Sequence, residues 1–215
     1  MKKRLTAATL AAACVATLAT TYLLGEPRKD QHSSLAALAQ TAIAVEPGKP
    51  LRVPALRATD GAAFGAMRLR GRWSVLFFGF TSCPAVCPTT LQVMSAVAGD
   101  PASGVAAGTT QLVFVSVDPE RDTPSQMKAY VGHFDGRILG LTGSRERLED
   151  FAAALGAGFT PSDSSSGSGI DHSTSLFVVD PKGRLAGILL RPSDPVRIVA
   201  DLQSIVAGPK KLQRE

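Results

Sequence analysis

The sequence predicts a single α/β domain with a mixed central sheet and helices on both faces, preceded by an N-terminal membrane anchor. Two observations in the folded part predict this class. Apolar runs typical of buried strands alternate with segments of helical periodicity, which gives parallel strands joined by crossover helices. Two later apolar runs, joined by a turn that contains Pro and Gly, predict a hairpin that adds antiparallel strands.

Each element has its own signal. Apolar runs predict two buried strands, at residues 73–80 and 111–117, and residues 137–143 are predicted as a third strand. Apolar periodicity, with Pro or a capping residue near the start, predicts four helices, at residues 88–99, 122–134, 144–155 and 194–206. The hairpin spans residues 173–190 around a turn at 180–183. The Ser- and Gly-rich composition of residues 156–171 predicts a flexible loop.

The first 25 residues predict the anchor. Three basic residues at positions 2–4 precede 21 residues without a charge, which is long enough to cross a bilayer as a helix. The positive start predicts that the rest of the chain lies on the exported, periplasmic type of side. Two alternatives stay open: a cleaved export signal, because the stretch is only weakly hydrophobic, and lipidation of Cys14.

Composition divides the chain into four parts: an anchor at 1–25, a tether at 26–48, a folded domain at 49–208 and a tail at 209–215. The net charge is +5, and the N-terminal basic cluster supplies three of those charges. The remaining chain carries no basic run with interleaved aromatic residues, so we expect no nucleic-acid partner.

Cys83 and Cys87, in the stretch FFGFTSCPAVCPTTL, lie between the first buried strand and its helix. Ligands of α/β folds bind at the carboxyl ends of such strands, and the positive helix terminus favours thiolates. The spacing alone leaves open a structural disulfide, a redox pair and a metal site. A disulfide across so short a loop would gain little chain entropy, whereas two thiolates favour Cu(I) or zinc.

A metal site with two sulfur ligands would need a third ligand, and His172 is the candidate. It follows the Ser- and Gly-rich stretch and precedes an apolar strand that could reach the cysteine turn. The other histidines are less suitable, because His32 lies in the tether and His133 near a helix end. Asp118 ends the second buried strand, where it could orient a ligand, contact a partner or simply begin a turn.

Three segments, GFTSCPAVCPTTL, FVSVDPERDTP and DHSTSLFVVDPKGRL, resemble in this order the Sco/SenC family of copper chaperones over residues 50–207. The resemblance implies a thioredoxin-like fold and one copper ion per domain, bound as Cu(I) or Cu(II) by Cys83, Cys87 and His172. It also implies three partners: the subunit of cytochrome c oxidase that carries the binuclear copper site, an upstream copper donor protein, and a membrane. Two positions depart from the family pattern, since Ala85 replaces a usual Asp and Phe80 a usual Tyr.

The same residues admit other functions. A thiol–disulfide reductase acting on the oxidase cysteines would use Cys83 and Cys87 without needing His172. A peroxide-reducing enzyme of the same fold is less favoured, because the sequence lacks the supporting Thr and Arg pattern around Cys83. We therefore expect a copper metallochaperone rather than an enzyme, with thiol–disulfide exchange as the alternative.

Overall fold

The computed structural model describes residues 42–45, 48, 50–161, 170–172 and 174–208. The predicted anchor and the predicted tail lie outside these residues, as does most of the predicted tether. Within the described ranges, no helix combines the length and the apolar character that a membrane crossing requires.

The described chain forms ten β-strands and four α-helices, with short 3-10 helices at Ala66–Leu69 and Pro101–Ser103. The strands are β1 (Ala42–Ala44), β2 (Leu56–Ala58), β3 (Ala63–Phe64), β4 (Trp73–Gly79), β5 (Thr110–Ser116), β6 (Ile138–Thr142), β7 (Phe159–Pro161), β8 (Ile170–His172), β9 (Leu176–Val179) and β10 (Leu185–Leu189). The helices are α1 (Val86–Gly99), α2 (Pro124–Phe134), α3 (Arg145–Leu155) and α4 (Pro195–Ala207).

Eight of the strands form a mixed sheet in the order β1-β10-β9-β4-β5-β6-β2-β3. Its central strands β4, β5 and β6 are parallel, and they agree with the predicted strands to within one residue at each end. The hairpin of β9 and β10 pairs antiparallel with β4, as the sequence predicts. The mixed sheet of the prediction is therefore confirmed.

Helices cover both faces of this sheet. Phe77 and Phe78 are adjacent in β4, so their side chains point to opposite faces. The ring of Phe77 contacts Phe114, whose ring contacts Tyr130 of α2. The ring of Phe78 contacts Phe151 of α3 on the other face. The core is therefore divided into two layers by the sheet.

Short strands are the main difference from the sequence prediction. β1 lies inside the range predicted as a tether and pairs with β10. The stretch 156–171 is not simply a loop, because β7 and β8 pair with each other within it and at its end. Pieces of two or three residues, such as β2 and β3, are too short to show an alternating pattern, so sequence periodicity cannot reveal them.

One row of residues crosses four strands near the carboxyl end of β4. Phe77 of β4 pairs with Leu176 of β9, which pairs with Leu189 of β10, which pairs with Ala42 of β1. The alternating directions of these strands bring the starts of β1 and β9 to the edge where β4 ends. That edge also carries the loop with Cys83.

Candidate metal centre

The two cysteines lie where β4 passes into α1. Cys83 is 9% exposed and Cys87 is fully buried, and neither forms a disulfide. Cys87 belongs to the first turn of α1, whereas Cys83 precedes the helix. The neighbouring Pro84 and Ala85 are exposed, so the cysteine pair lies directly beneath the protein surface.

The sulfur of Cys83 accepts a hydrogen bond from a backbone N–H in the first turn of α1. The N-cap residue Ala85 offers no side-chain acceptor, and the backbone N–H of Cys87 donates instead to Cys83 Sγ at 3.4 Å. Pro88 has no N–H to satisfy, which suits the first helical turn. The backbone N–H and the hydroxyl of Thr89 both donate to the carbonyl of Ala85, which closes the first turn of the helix. The helix terminus thus holds the first sulfur near the second cysteine.

Gly79, the last residue of β4, lies beneath Cys87. A Cβ atom at this position would be 2.8 Å from Cys87 Sγ and 2.7 Å from Cε2 of Phe114. Both distances are shorter than ordinary van der Waals contact, so the close approach itself requires glycine. The position of the second sulfur therefore depends on a residue without a side chain.

A buried carboxylate holds the cysteine loop from below. Asp122 is fully buried and accepts hydrogen bonds from the backbone N–H of Thr81 at 3.2 Å and from the Thr81 hydroxyl at 2.5 Å. It also accepts one from the hydroxyl of Ser116, at the end of β5, at 2.7 Å. The carboxylate thereby joins the loop after β4 to the end of β5.

The sequence did not predict this contact, because an Asp just before a helix is expected to cap that helix. In the structure Thr123 forms the cap, in a capping box with Gln126, which leaves Asp122 for the cysteine loop. The partner Thr81 lies 41 positions earlier in the chain. A local sequence pattern could not show this contact. The one hint in the sequence is that Thr123 is enough to cap α2, which leaves the neighbouring Asp122 available for another partner.

The carboxylate of Asp118 is engaged in a local ion pair. It is buried and forms an ion pair with the guanidinium of Arg121. Its backbone carbonyl accepts from the N–H groups of Arg121 and Asp122, so it begins a turn. Of the roles considered for Asp118, the structure supports the turn.

Burial raises the pKa of the Cys87 thiol well above its ordinary value. A hydrogen bond from the backbone of Phe80 lowers it, whereas the interaction with Cys83 and the charge of Asp122 raise it further. The helix terminus had led us to expect a lowered value. At Cys87 the loss of hydration outweighs the helix terminus, and the thiolate needs an additional positive charge to be stable there.

His172 ends β8, where its backbone pairs with Phe159. It lies four residues before Leu176, so its Cα is within about 14 Å of the row that crosses the sheet beside the cysteine loop. Its side chain is not among those that the structure describes. The described side chains alone contain no cluster of three metal-binding groups.

Comparison with known proteins identifies the family of this site. A family model described as SCO1/SenC matches residues 55–207. The chain belongs to the SCO1/SenC family. Among its relatives is a protein of Stutzerimonas stutzeri that is named for copper binding, 40% identical over 144 residues, which are 65% of this chain and 70% of the relative.

Other SCO1/SenC proteins match over the same domain. The mitochondrial protein SCO2 homolog of Bos taurus is 31% identical over 67% of this chain, and the chain spans only about half of its length, 55%. The structure of ScoI from Bradyrhizobium japonicum, solved with copper bound, superposes with a TM-score of 0.61 at 32% identity. That superposition covers 74% of this chain and 98% of the other.

The two departures from the SCO1/SenC pattern lie on either side of Cys83. Ala85 is exposed at the N-cap of α1, where an Asp would offer a capping carboxylate. Phe80 is 3% exposed, and its carbonyl accepts a hydrogen bond from the backbone N–H of Cys83 at 3.2 Å. The loop therefore keeps its backbone hydrogen bonds without the usual side chains.

Proposed function

We propose that this protein is a copper chaperone that delivers copper to the binuclear copper site of cytochrome c oxidase, or prepares the thiols of that site. One observation carries the proposal: Cys83 and Cys87, neither of them in a disulfide, share one N–H···S contact at the carboxyl end of β4. Family membership, a relative named for copper binding and a related structure that contains copper support it.

The donor set suits copper. Two thiolates are soft ligands that select Cu(I), and an imidazole suits both oxidation states. We propose Cys83, Cys87 and His172 as the ligands of one ion. Ion binding releases the thiol protons, and the charge of the ion compensates the cost of a thiolate at the buried Cys87.

We also propose where the domain works. Residues 1–25 hold it in a membrane, residues 26–48 separate it from the bilayer and residues 49–208 form the copper domain on the exported side. The expected result is that the full-length protein sediments with membranes and needs detergent for release. Recovery of full-length chains in the soluble exported fraction, with a new N-terminus near residues 20–26, would establish a cleaved signal instead.

The proposed partners follow from the family resemblance. The receiving partner is the oxidase subunit that holds the binuclear copper site, and the donor is a second copper-carrying protein. Direct transfer requires the ligands to lie near the surface, and the exposed Pro84 and Ala85 beside Cys83 meet that requirement.

A thiol–disulfide reductase acting on the oxidase cysteines is the second candidate. The observation that favours it is the proximity of the two cysteines, since the backbone N–H of Cys87 donates to Cys83 Sγ at 3.4 Å. Oxidation of this pair would consume both sulfur ligands, so copper loading and disulfide formation should exclude one another. The two candidates therefore differ at His172, which disulfide exchange does not require.

Metal binding by the reduced, anaerobic protein separates the candidates. We expect the wild type to bind one copper per chain and to show strong thiolate-to-Cu(II) absorption. His172→Ala should lose that absorption and weaken Cu(I) less, while the control His133→Ala should match the wild type. An unaltered Cu(II) spectrum in His172→Ala would favour the reductase, and a wild type that binds no copper would refute the chaperone proposal.

A further inference from the structure

The hydroxyl of Tyr130 is buried without a hydrogen-bond partner among the residues that the structure describes. Tyr130 lies in the middle of α2, and its ring is partly exposed while the oxygen atom is not. Buried tyrosine hydroxyls nearly always find a partner, because an unpaired polar group in the interior costs free energy. This hydroxyl therefore calls for an acceptor that the metal-free arrangement does not supply.

Tyr130 is connected to the proposed metal centre through the ring of Phe114. Its ring contacts the ring of Phe114, with centroids 5.8 Å apart. Cε2 of Phe114 and the sulfur of Cys87 both lie close to Gly79, where an added Cβ would be 2.7 and 2.8 Å from them. Phe114 is thus a shared neighbour of the tyrosine ring and the buried cysteine.

The electrostatics of Tyr130 agree with this packing. Burial raises its pKa most, and the negative charges of Cys87, Cys83 and Asp122 raise it further, in that order. Cys87 therefore lies close enough to the phenol to act on it once its sulfur is ionised. A phenol raised in this way stays protonated, so it can act as a hydrogen-bond donor.

We propose that Tyr130 is a positioning residue of the metal centre, whose hydroxyl donates a hydrogen bond to the sulfur of Cys87 when that sulfur is a metal-bound thiolate. A neutral thiol is a weak acceptor and a thiolate a strong one, so the hydroxyl gains its partner on metal binding. The inference rests on the proposed copper function. A hydrogen bond to the sulfur withdraws electron density from it, which favours Cu(I) over Cu(II).

Tyr130→Phe tests the hydrogen bond because it keeps the ring and removes only the hydroxyl. We expect its thiolate-to-Cu(II) absorption to move to longer wavelength. The ratio of Cu(II) to Cu(I) affinity should rise about tenfold, which lowers the midpoint potential by about 59 mV. The control Phe134→Leu disturbs the other ring that contacts Tyr130 but removes no hydroxyl, so its band and potential should stay unchanged.

A second measurement does not depend on the Tyr130→Phe variant being stable. The chain contains two tyrosines, so Tyr22→Phe leaves Tyr130 as its only tyrosine. The ring doublet in the Raman spectrum reports whether a tyrosine hydroxyl donates a hydrogen bond. In the reduced full-length chain with Tyr22→Phe, addition of Cu(I) should convert that doublet to the form of a strong donor.

The outcomes distinguish this inference from the proposed function. A wild type without a thiolate–copper band refutes both. A wild type with the band, together with an unchanged Tyr130→Phe variant or an unchanged Raman doublet, refutes only the role of Tyr130. Equal shifts in Tyr130→Phe and Phe134→Leu would also refute it, because packing would then explain the effect.

Discussion

The sulfur of Cys83 accepts a hydrogen bond of 3.4 Å from the backbone N–H of Cys87, in the first turn of α1, in place of the side chain that the N-cap residue Ala85 lacks. In most helices a Ser, Thr, Asp or Asn oxygen accepts this hydrogen bond. Here a proposed copper ligand has that role, so the geometry of the site and the stability of α1 depend on the same atom.

The first prediction separates these two roles of Cys83. Cys83→Ala removes the acceptor and should lower the free energy of unfolding by about 1 kcal/mol, whereas Cys83→Ser keeps an acceptor and should lose less. Both variants should lose tight copper binding. Urea unfolding of the copper-free proteins measures the difference, and equal stability of the two variants would show that the sulfur does not cap the helix.

The second prediction concerns the space beneath Cys87. Gly79→Ala places a methyl group against Cys87 Sγ and Phe114, so we expect a loss of about 1–3 kcal/mol of stability and weaker Cu(I) binding. Gly132→Ala in α2 is the control, because nothing lies within 4 Å of its added Cβ and the helix should gain about 1 kcal/mol. Thermal unfolding and a Cu(I) competition assay measure both effects. Normal Cu(I) affinity in Gly79→Ala would contradict the close packing.

The third prediction concerns the carboxylate beneath the cysteine loop. Asp122→Asn removes a buried acceptor for Thr81 and Ser116, which should cost about 1–3 kcal/mol and loosen the loop before Cys83. Copper affinity should fall with it. Asp60→Asn makes the same chemical change in an exposed ion pair with Arg68 and should have little effect on either quantity. An Asp122→Asn protein with normal stability and affinity would remove Asp122 from the site.

The fourth prediction concerns acid stability and the turn between β9 and β10. Asp180 is buried there; burial alone would raise its pKa, but hydrogen bonds from Arg184 and from the backbone hold the pKa below its usual value. A lowered pKa in the folded state contributes stability above the unfolded value of about 3.9, and that stability is lost as the pH falls through the folded value.

Urea unfolding between pH 7 and pH 3 tests Asp180. We expect Asp180→Asn to be less stable than the wild type at pH 7, by about 1–3 kcal/mol, and to lose less further stability below about pH 4. The two curves should therefore converge in acid. Parallel curves over the whole range would show that the carboxylate does not titrate with folding.

The sequence predicted the parts of this molecule that repeat a pattern over several residues. The apolar runs at β4 and β5 and the periodicity of α1 predicted the correct elements. The place of Cys83 and Cys87 in the fold could be predicted because they lie between an apolar run and a helical segment, where a strand passes into its helix. The contact between Asp122 and Thr81 was not found, since it joins residues far apart in the chain and depends on how two loops pack.

The start of β1 lies at the same edge of the sheet as the cysteine loop. Ala42 lies in the row that ends at Phe77, so the chain enters the domain along the edge that carries the cysteine loop. β1 pairs with β10 along three residues, so its release would leave backbone groups of β10 without partners at that end of the sheet. A change that frees β1 would therefore disturb the region of the cysteine loop, although the two lie far apart in the sequence.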